Sequence, residues 1–299
     1  MTRNGPTYAD AGVSLAAADA VVGRLRAAVQ STGATGFGAF AGLHPLDGNR
    51  FLAASTDGVG TKLMLARLRG RLRDCGRDLA AHCINDVLTT GAEPLMLLDY
   101  VAAAELDLDQ VADLVEGAAE VCREAGVALV GGETAELPGI YREGELDFAG
   151  TCVGIVDAAD LIDGRTVAAG DAVIGFPSAG AHANGFTLIR RILETDDYAG
   201  PDLLAPTRLY LSEARALRSR ARAFAHVTGG GILGNLSRVL PEGRSAEIDW
   251  DSWPRLPVFA WLAGHVTEDE LRRVFNLGIG WCAVVADPAP GELVIGRIA

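Results

Sequence analysis

The densest chemistry in the chain lies in six residues, Asp57-Gly58-Val59-Gly60-Thr61-Lys62, which join a carboxylate, two glycines, a hydroxyl and an ammonium. Glycines let backbone N–H groups approach an oxyanion, and a lysine adds a point charge. The spacing is not that of a Walker A loop, which places four residues between its first glycine and Gly-Lys. Lys62 is also the single lysine in a chain with 25 arginines. Either chance left the one lysine here, or a compact ammonium is needed in a tight turn where a planar guanidinium does not fit. Asn85-Asp86 sits within a helix beside apolar Ile84, Val87 and Leu88, a poor setting for a solvated carboxylate. Gly131-Gly132-Glu133-Thr134 follows an apolar strand, where ligand-contacting loops of open sheets lie. A magnesium–nucleotide site accounts for Asp57, Asp86 and Glu133 together, because magnesium takes one or two carboxylates plus waters and phosphates.

The second half carries two further glycine-flexed loops. Ser178-Ala-Gly-Ala-His182-Ala-Asn184-Gly185 puts an imidazole and an amide between a strand and a helix, suited to a polar ligand. An exposed loop histidine explains His182 equally well. Thr228-Gly229-Gly230-Gly231 precedes a helix, whose free amides could hold a phosphate. Gly36-Phe-Gly38-Ala-Phe-Ala41 fits a dinucleotide fingerprint, but a helix precedes it and Pro45 follows, so the Rossmann reading fails.

These loops need elements to hold them. Residues 14–32 read as an amphipathic helix capped by Ser14, with Val21, Val22, Leu25, Ala28 and Val29 on one face. Phe51–Ser55 is a strand into the Asp57 loop, and a helix covers 78–90. Leu95–Ala102 is so evenly apolar that it reads as a strand buried on both faces. Asp107 and Gln110 open a helix that runs to Gly126, and Val127–Val130 is the next strand, which makes a βαβ unit. Ala149–Val156 is a further strand, and the acidic link 157–170 places a domain boundary near 164. The division is 1–164 and 165–299. Strand 172–176, helices 186–194 and 208–222, strand 224–227 and helix 232–240 follow. The fold class is α+β in two domains, the first with a mixed sheet and helices, the second a sandwich-like α/β layer.

Composition narrows the partners. The net charge of -13 repels phosphate backbones and anionic lipids, so neither nucleic acid nor a membrane is expected. No uncharged apolar run approaches the roughly 18 residues of a membrane span. Five scattered cysteines and no N-terminal signal point to a reducing cytoplasm.

Seven motifs in order carry a resemblance to one family. They are Thr7-Tyr-Ala-Asp10-Ala-Gly12-Val13, Ser55-Thr-Asp-Gly-Val-Gly-Thr-Lys-Leu63, Cys83-Ile-Asn-Asp86 with Gly91-Ala-Glu-Pro94 and Leu98-Asp99-Tyr100, Val130-Gly-Gly-Glu-Thr-Ala-Glu-Leu-Pro-Gly139, the His182 loop, Leu204-Ala-Pro-Thr-Arg208, and His226-Val-Thr-Gly-Gly-Gly231. The chain resembles the phosphoribosylformylglycinamidine cyclo-ligases from about residue 7 to 299. The resemblance implies ATP-dependent ring closure of a ribonucleotide in purine synthesis, with ATP and Mg2+ as cofactors and a homodimer formed through the N-terminal sheets. It implies Lys62 and His182 as catalytic residues, and Asp57, Asp86 and Glu133 as metal ligands. Gly36, Gly38, Asp57, Gly58, Gly60, Thr61, Lys62, Asp99, Asn184, Gly229, Gly230 and Gly231 are the nucleotide-binding set. A non-catalytic dimerising homologue, or a small-molecule kinase of the same fold, is the alternative.

The C-terminal region looks shorter than the family's. Trp281–Ala286 and Glu292–Arg297 read as strands with only Asp287-Pro-Ala-Pro-Gly291 between them. A parallel crossover takes about a dozen residues. The last strand is therefore expected to pair antiparallel to Trp281–Ala286 or to stay out of that sheet, leaving sheet surface uncovered.

Overall fold

The computed structural model describes residues 5–34 and 38–299, with Asp19 described by its backbone alone. Gly36, from the nucleotide-binding set, lies outside the described residues. The elements run α1 (Leu15–Gln30), β1 (Gly42–Asp47), β2 (Arg50–Gly58), α2 (Lys62–Leu68), α3 (Leu72–Leu88), β3 (Glu93–Ala103), α4 (Leu108–Ala125), β4 (Ala128–Glu136) and β5 (Leu146–Asp157). The second half holds β6 (Ala172–Pro177), α5 (Phe186–Leu193), α6 (Leu211–Leu217), β7 (Ala221–His226), α7 (Gly231–Ser237), β8 (Ala246–Ile248), α8 (Pro257–Leu262), α9 (Glu268–Val274), β9 (Ile279–Val285) and β10 (Val294–Ile298).

The described residues form two five-stranded sheets, ordered β1-β2-β5-β3-β4 and β7-β9-β6-β10-β8. In the first, β3 and β4 pair parallel around α4, the expected βαβ unit, and the other pairs are antiparallel. Local signals behave as their chemistry requires. Ser14 caps α1 by accepting from the Ala17 N–H at 3.1 Å, and Asp107 caps α4 by accepting from the Gln110 N–H at 3.0 Å. The segment before α1 packs on the second half, where the Tyr8 N–H donates to Glu270 Oε1 at 2.6 Å.

Three expectations need correction. First, β3 is covered on one face only: Leu95, Met96 and Leu98 are 45%, 37% and 41% exposed, because α3 and α4 lie on the opposite face. Second, Gly131-Gly132-Glu133-Thr134 is not a loop after β4 but part of it, held in register by Leu98 to Val101 of β3. Third, β10 does join the second sheet, on the far side of β6 from β9, and pairs antiparallel with β6 and β8. No crossover helix is needed, because the chain barely has to travel back. Val285 ends β9 level with Ala172, and Val294 begins β10 level with Ile174. The return is two residues along the strand at about 3.3 Å each, plus two strand spacings of about 4.8 Å. The sheet surface is not left bare. All seven residues of β9 are buried, and Ile232, Leu236 and Trp253 pack with Val284, Ile295 and Ile298 on one of its faces.

The first core is set by a glycine crossing. A Cβ on Gly76 of α3 would stand 2.0 Å from the Leu114 carbonyl oxygen, and one on Gly117 of α4 would stand 2.0 Å from that of Arg73. Backbone is there instead of side chain, so α3 lies close against α4. Gly76→Ala and Gly117→Ala should each cost about 1–3 kcal/mol through overpacking, read as a lower midpoint in urea unfolding with the slope unchanged. Unchanged midpoints would show that the helices part freely.

Candidate active site at the domain seam

Nearly all of α3 is buried, yet Asp78, His82, Asn85 and Asp86 recur at helical spacing along it and lie on one side. Buried polar groups must find partners, and these four find most of theirs in the second half. Asp78 Oδ1 accepts from the Thr207 N–H and hydroxyl at 2.8 and 2.7 Å. Asn85 Nδ2 donates to the Arg208 carbonyl at 2.9 Å, and its Oδ1 accepts from the Tyr210 N–H at 3.0 Å. Asp86 accepts from Ser55 Oγ at 2.9 Å and lies 2.9 Å from Nδ1 of His226 at the end of β7. His82 Nδ1 lies 3.1 Å from Asp57 Oδ2. The His82 and His226 rings meet edge to face with centroids 5.0 Å apart.

Two carboxylate–imidazole pairs thus abut across the seam, with unequal protonation. Burial, the largest influence on His82, lowers its pKa, but the hydrogen bond and charge of Asp57 with the charges of Asp78 and Asp86 hold it raised. Burial raises Asp57, and the His82 contacts and the Gly58 N–H overcome it, so its pKa is lowered. At His226 burial prevails over Asp86 and the pKa is lowered. His82 therefore holds its proton to higher pH than an ordinary histidine, and His226 loses its proton at lower pH.

The second-half loops close on this seam. His182 is fully buried in a left-handed conformation (φ 59°), and both its ring nitrogens lack a hydrogen-bond partner among the described residues. Burial and then the charges on His82, His226, Lys62 and Arg208 hold its pKa well below the ordinary value. An exposed loop histidine is thereby excluded. Asn184 Nδ2 is likewise buried and unpartnered among the described residues. Asn235 Nδ2 braces the glycine triplet by donating to the Thr228, Gly229 and Gly231 carbonyls at 3.2, 3.3 and 2.8 Å. Beside the triplet a groove of about 860 Å3 is lined by Gly38, Gly229, Gly230 and Arg238. The Arg238 guanidinium lies 3.8 Å from the Phe40 ring centre and donates to the Gly38 and Ala39 carbonyls at 3.4 and 3.0 Å. It thereby ties the first-half glycine loop to the second half.

The remaining site residues are spread apart. Gly60 and Thr61 line a different groove of about 610 Å3 with Arg67, Tyr141 and Arg190, and Thr61 Oγ1 lies 2.9 Å from Thr187 Oγ1. Gly58 donates its N–H to Asp57 at 2.7 Å. Asp99 stands two strands from Asp57 in the row Asp57–Gly150–Asp99–Gly132, its pKa raised by burial, with only a glycine tolerated beside it at 132. Glu133 falls in the neighbouring row with Tyr100, on the uncovered face. Lys62 is fully buried, its ammonium 2.6 Å from Asp78 and donating to the His182 and Ala205 carbonyls.

The three-carboxylate magnesium set is consequently not assembled. Asp86 is committed to Ser55 and His226, Glu133 is exposed on the other side of the sheet, and no group of three potential ligands occurs among the described residues. The donor set does not fit a prebuilt metal site. Asp78, His82 and Arg238 were not singled out from the sequence, and Ser55 and His226 only as members of family motifs with no site role. The 78, 82, 85, 86 spacing in the otherwise apolar stretch 78–88 was the available signal. Asp86→Ala would leave Ser55 and His226 unpaired in the interior and should cost about 3 kcal/mol of stability. Urea unfolding checks this, and a loss under 1 kcal/mol would mean that water reaches the seam.

The geometry can be set beside known proteins. Residues 38–156 match the AIR synthase related protein, N-terminal domain, and residues 168–295 match the AIR synthase related protein, C-terminal domain. A phosphoribosylformylglycinamidine cyclo-ligase of Synechococcus sp. (strain CC9902) is 47% identical over 306 residues, covering 94% of this chain and 89% of that one. One of Nitrosococcus oceani is 48% identical over 308 residues, covering 96% and 86%. Among solved structures, AaThiL complexed with AMPPCP and TMP superposes with a TM-score of 0.68 at 15% identity, over 92% of this chain and 89% of that chain, a likeness of fold. The chain belongs to the AIR synthase related family, with both its N-terminal and its C-terminal domain.

Proposed function

We propose that the protein is a phosphoribosylformylglycinamidine cyclo-ligase, closing formylglycinamidine ribonucleotide to aminoimidazole ribonucleotide with conversion of ATP to ADP and phosphate. The observation that carries this reading is the 47% identity to a cyclo-ligase across 94% of the chain. The chemistry asks for little covalent help. The formamide oxygen is a poor leaving group until it accepts the γ-phosphoryl group. The neighbouring amidine nitrogen then attacks that carbon, and the oxygen departs as phosphate. Ring closure is intramolecular, and orientation alone can be worth an effective molarity of about 10⁵–10⁸ M.

The groove edged by Gly38, Gly229 and Gly230 suits the nucleotide, because bare backbone can approach phosphate oxygens and Arg238 supplies charge. A neighbour of this fold holds the ATP analogue AMPPCP. His182 and Asn184, with buried nitrogens unpartnered among the described residues, offer polar contacts to the ribonucleotide, as do the unpartnered Nε2 atoms of His82 and His226. The carboxylates expected to hold magnesium are not gathered among the described residues. The nucleotide's own phosphates would have to bring the ion.

The first domain is taken as 1–164 and the second as 165–299. The uncovered face of β3 and β4, with exposed Leu95, Met96, Leu98 and Val130, suits a second copy of the chain. A cytoplasmic setting accords with five buried free cysteines, and no described helix is long and apolar enough to cross a membrane.

Purified protein given formylglycinamidine ribonucleotide, ATP and Mg2+ should form aminoimidazole ribonucleotide and ADP in equal amounts. A folded sample that makes neither would favour a non-catalytic homologue, and ADP without ring closure would favour a kinase. Sedimentation should show a dimer at micromolar concentration; monomer throughout would free the β3–β4 face from that role.

A further inference from the structure

We propose that Lys62 is a positioning residue and not a phosphate ligand: with Asp78 it clamps the second domain's His182 loop onto the first domain. Three oxygens surround the ammonium: the His182 and Ala205 carbonyls accept hydrogen bonds from it at 2.8 and 3.1 Å, and Asp78 Oδ2 pairs with it as an ion at 2.6 Å without hydrogen-bond alignment. Lys62 is 0% exposed, so its ammonium has no open side toward a nucleotide in this arrangement. Asp78 is also fully buried and spends its other oxygen on Thr207. Both charges stand on first-domain helices, and every partner beyond the pair itself lies in residues 182–207.

The clamp acts at a place the chain does not favour unaided. His182 adopts a left-handed backbone that residues other than glycine rarely take, and its carbonyl is the one the ammonium holds. Asn184, two residues on, lies beside Gly229 at the nucleotide groove. Fixing the His182 carbonyl therefore fixes the loop that sets Asn184 against Gly229. The requirement also explains the lone lysine: three converging oxygens fit a compact ammonium, while a guanidinium presents a flat, wider fork.

The inference rests on the cyclo-ligase reading only for its activity readout, and the first test needs no activity. As the single lysine, Lys62 reports alone. Wild-type protein treated with an amine acylating reagent should keep Lys62 unmodified while its N-terminal amine reacts, equally with and without AMPPCP. Acylation of Lys62 in free protein that AMPPCP prevents would overturn the clamp, as would acylation that AMPPCP leaves unchanged. The second test is a cycle on turnover by folded protein. Lys62→Met and Asp78→Asn should each lower kcat by roughly 10²-fold, the scale of a small misplacement. The double variant should fall no further, because either change already opens the clamp. An Asp78→Asn variant with normal kcat beside an inactive Lys62→Met variant would return Lys62 to the phosphates. If these variants do not fold, the acylation result decides by itself.

Discussion

Helix α3 carries its charge inward. Most helices in a two-layer domain turn an apolar stripe to the core and a polar stripe to water. Here Gly76 lets one side sink against α4, and the side bearing Asp78, His82, Asn85 and Asp86 is roofed by the second half. Each of these groups would be costly alone in the interior, so each must be answered. The answers come from Lys62, Thr207, Arg208, Tyr210 and His226, and Asp57 and Ser55 complete them from β2. The two sheets therefore cannot drift apart without stranding buried polar groups.

Such a seam contributes more to specificity than to stability. Replacing a buried ion pair by apolar residues is often neutral, whereas removing one partner costs about 3–5 kcal/mol. What the pairs supply is register. The glycine triplet and the Gly38 loop line one groove and the His182 loop brings Asn184 beside Gly229, with Lys62, Asn235 and Arg238 each pinning backbone carbonyls from a different segment. A reaction that asks mainly for orientation is well served by backbone held this way.

The uncovered face of the first sheet follows from the same asymmetry. With α3 and α4 both on one side, the row holding Tyr100 and Glu133 lies on the sheet face that these helices leave uncovered. The apolar side chains of β3 that read as core are core only if a second copy supplies the missing layer.

The sequence alone determined what depends on near neighbours. The caps at Ser14 and Asp107, the βαβ unit around α4, the strand of Phe51–Ser55 and the family motifs were all legible, because periodicity and capping act within a few residues. It also marked Lys62 as unusual. Tertiary structure decided which way each group points and what meets it. Asp57 and Glu133 share a sheet but face opposite sides, since one residue of register flips a side chain. The order of β9, β6 and β10 turned on where each strand begins along its partner, not on the length of the link. Lys62 read as a free cation until Asp78, His182 and Ala205 closed around it. Those partners lie 16, 120 and 143 residues away, and contact at such separation exists only once both sheets have folded against α3.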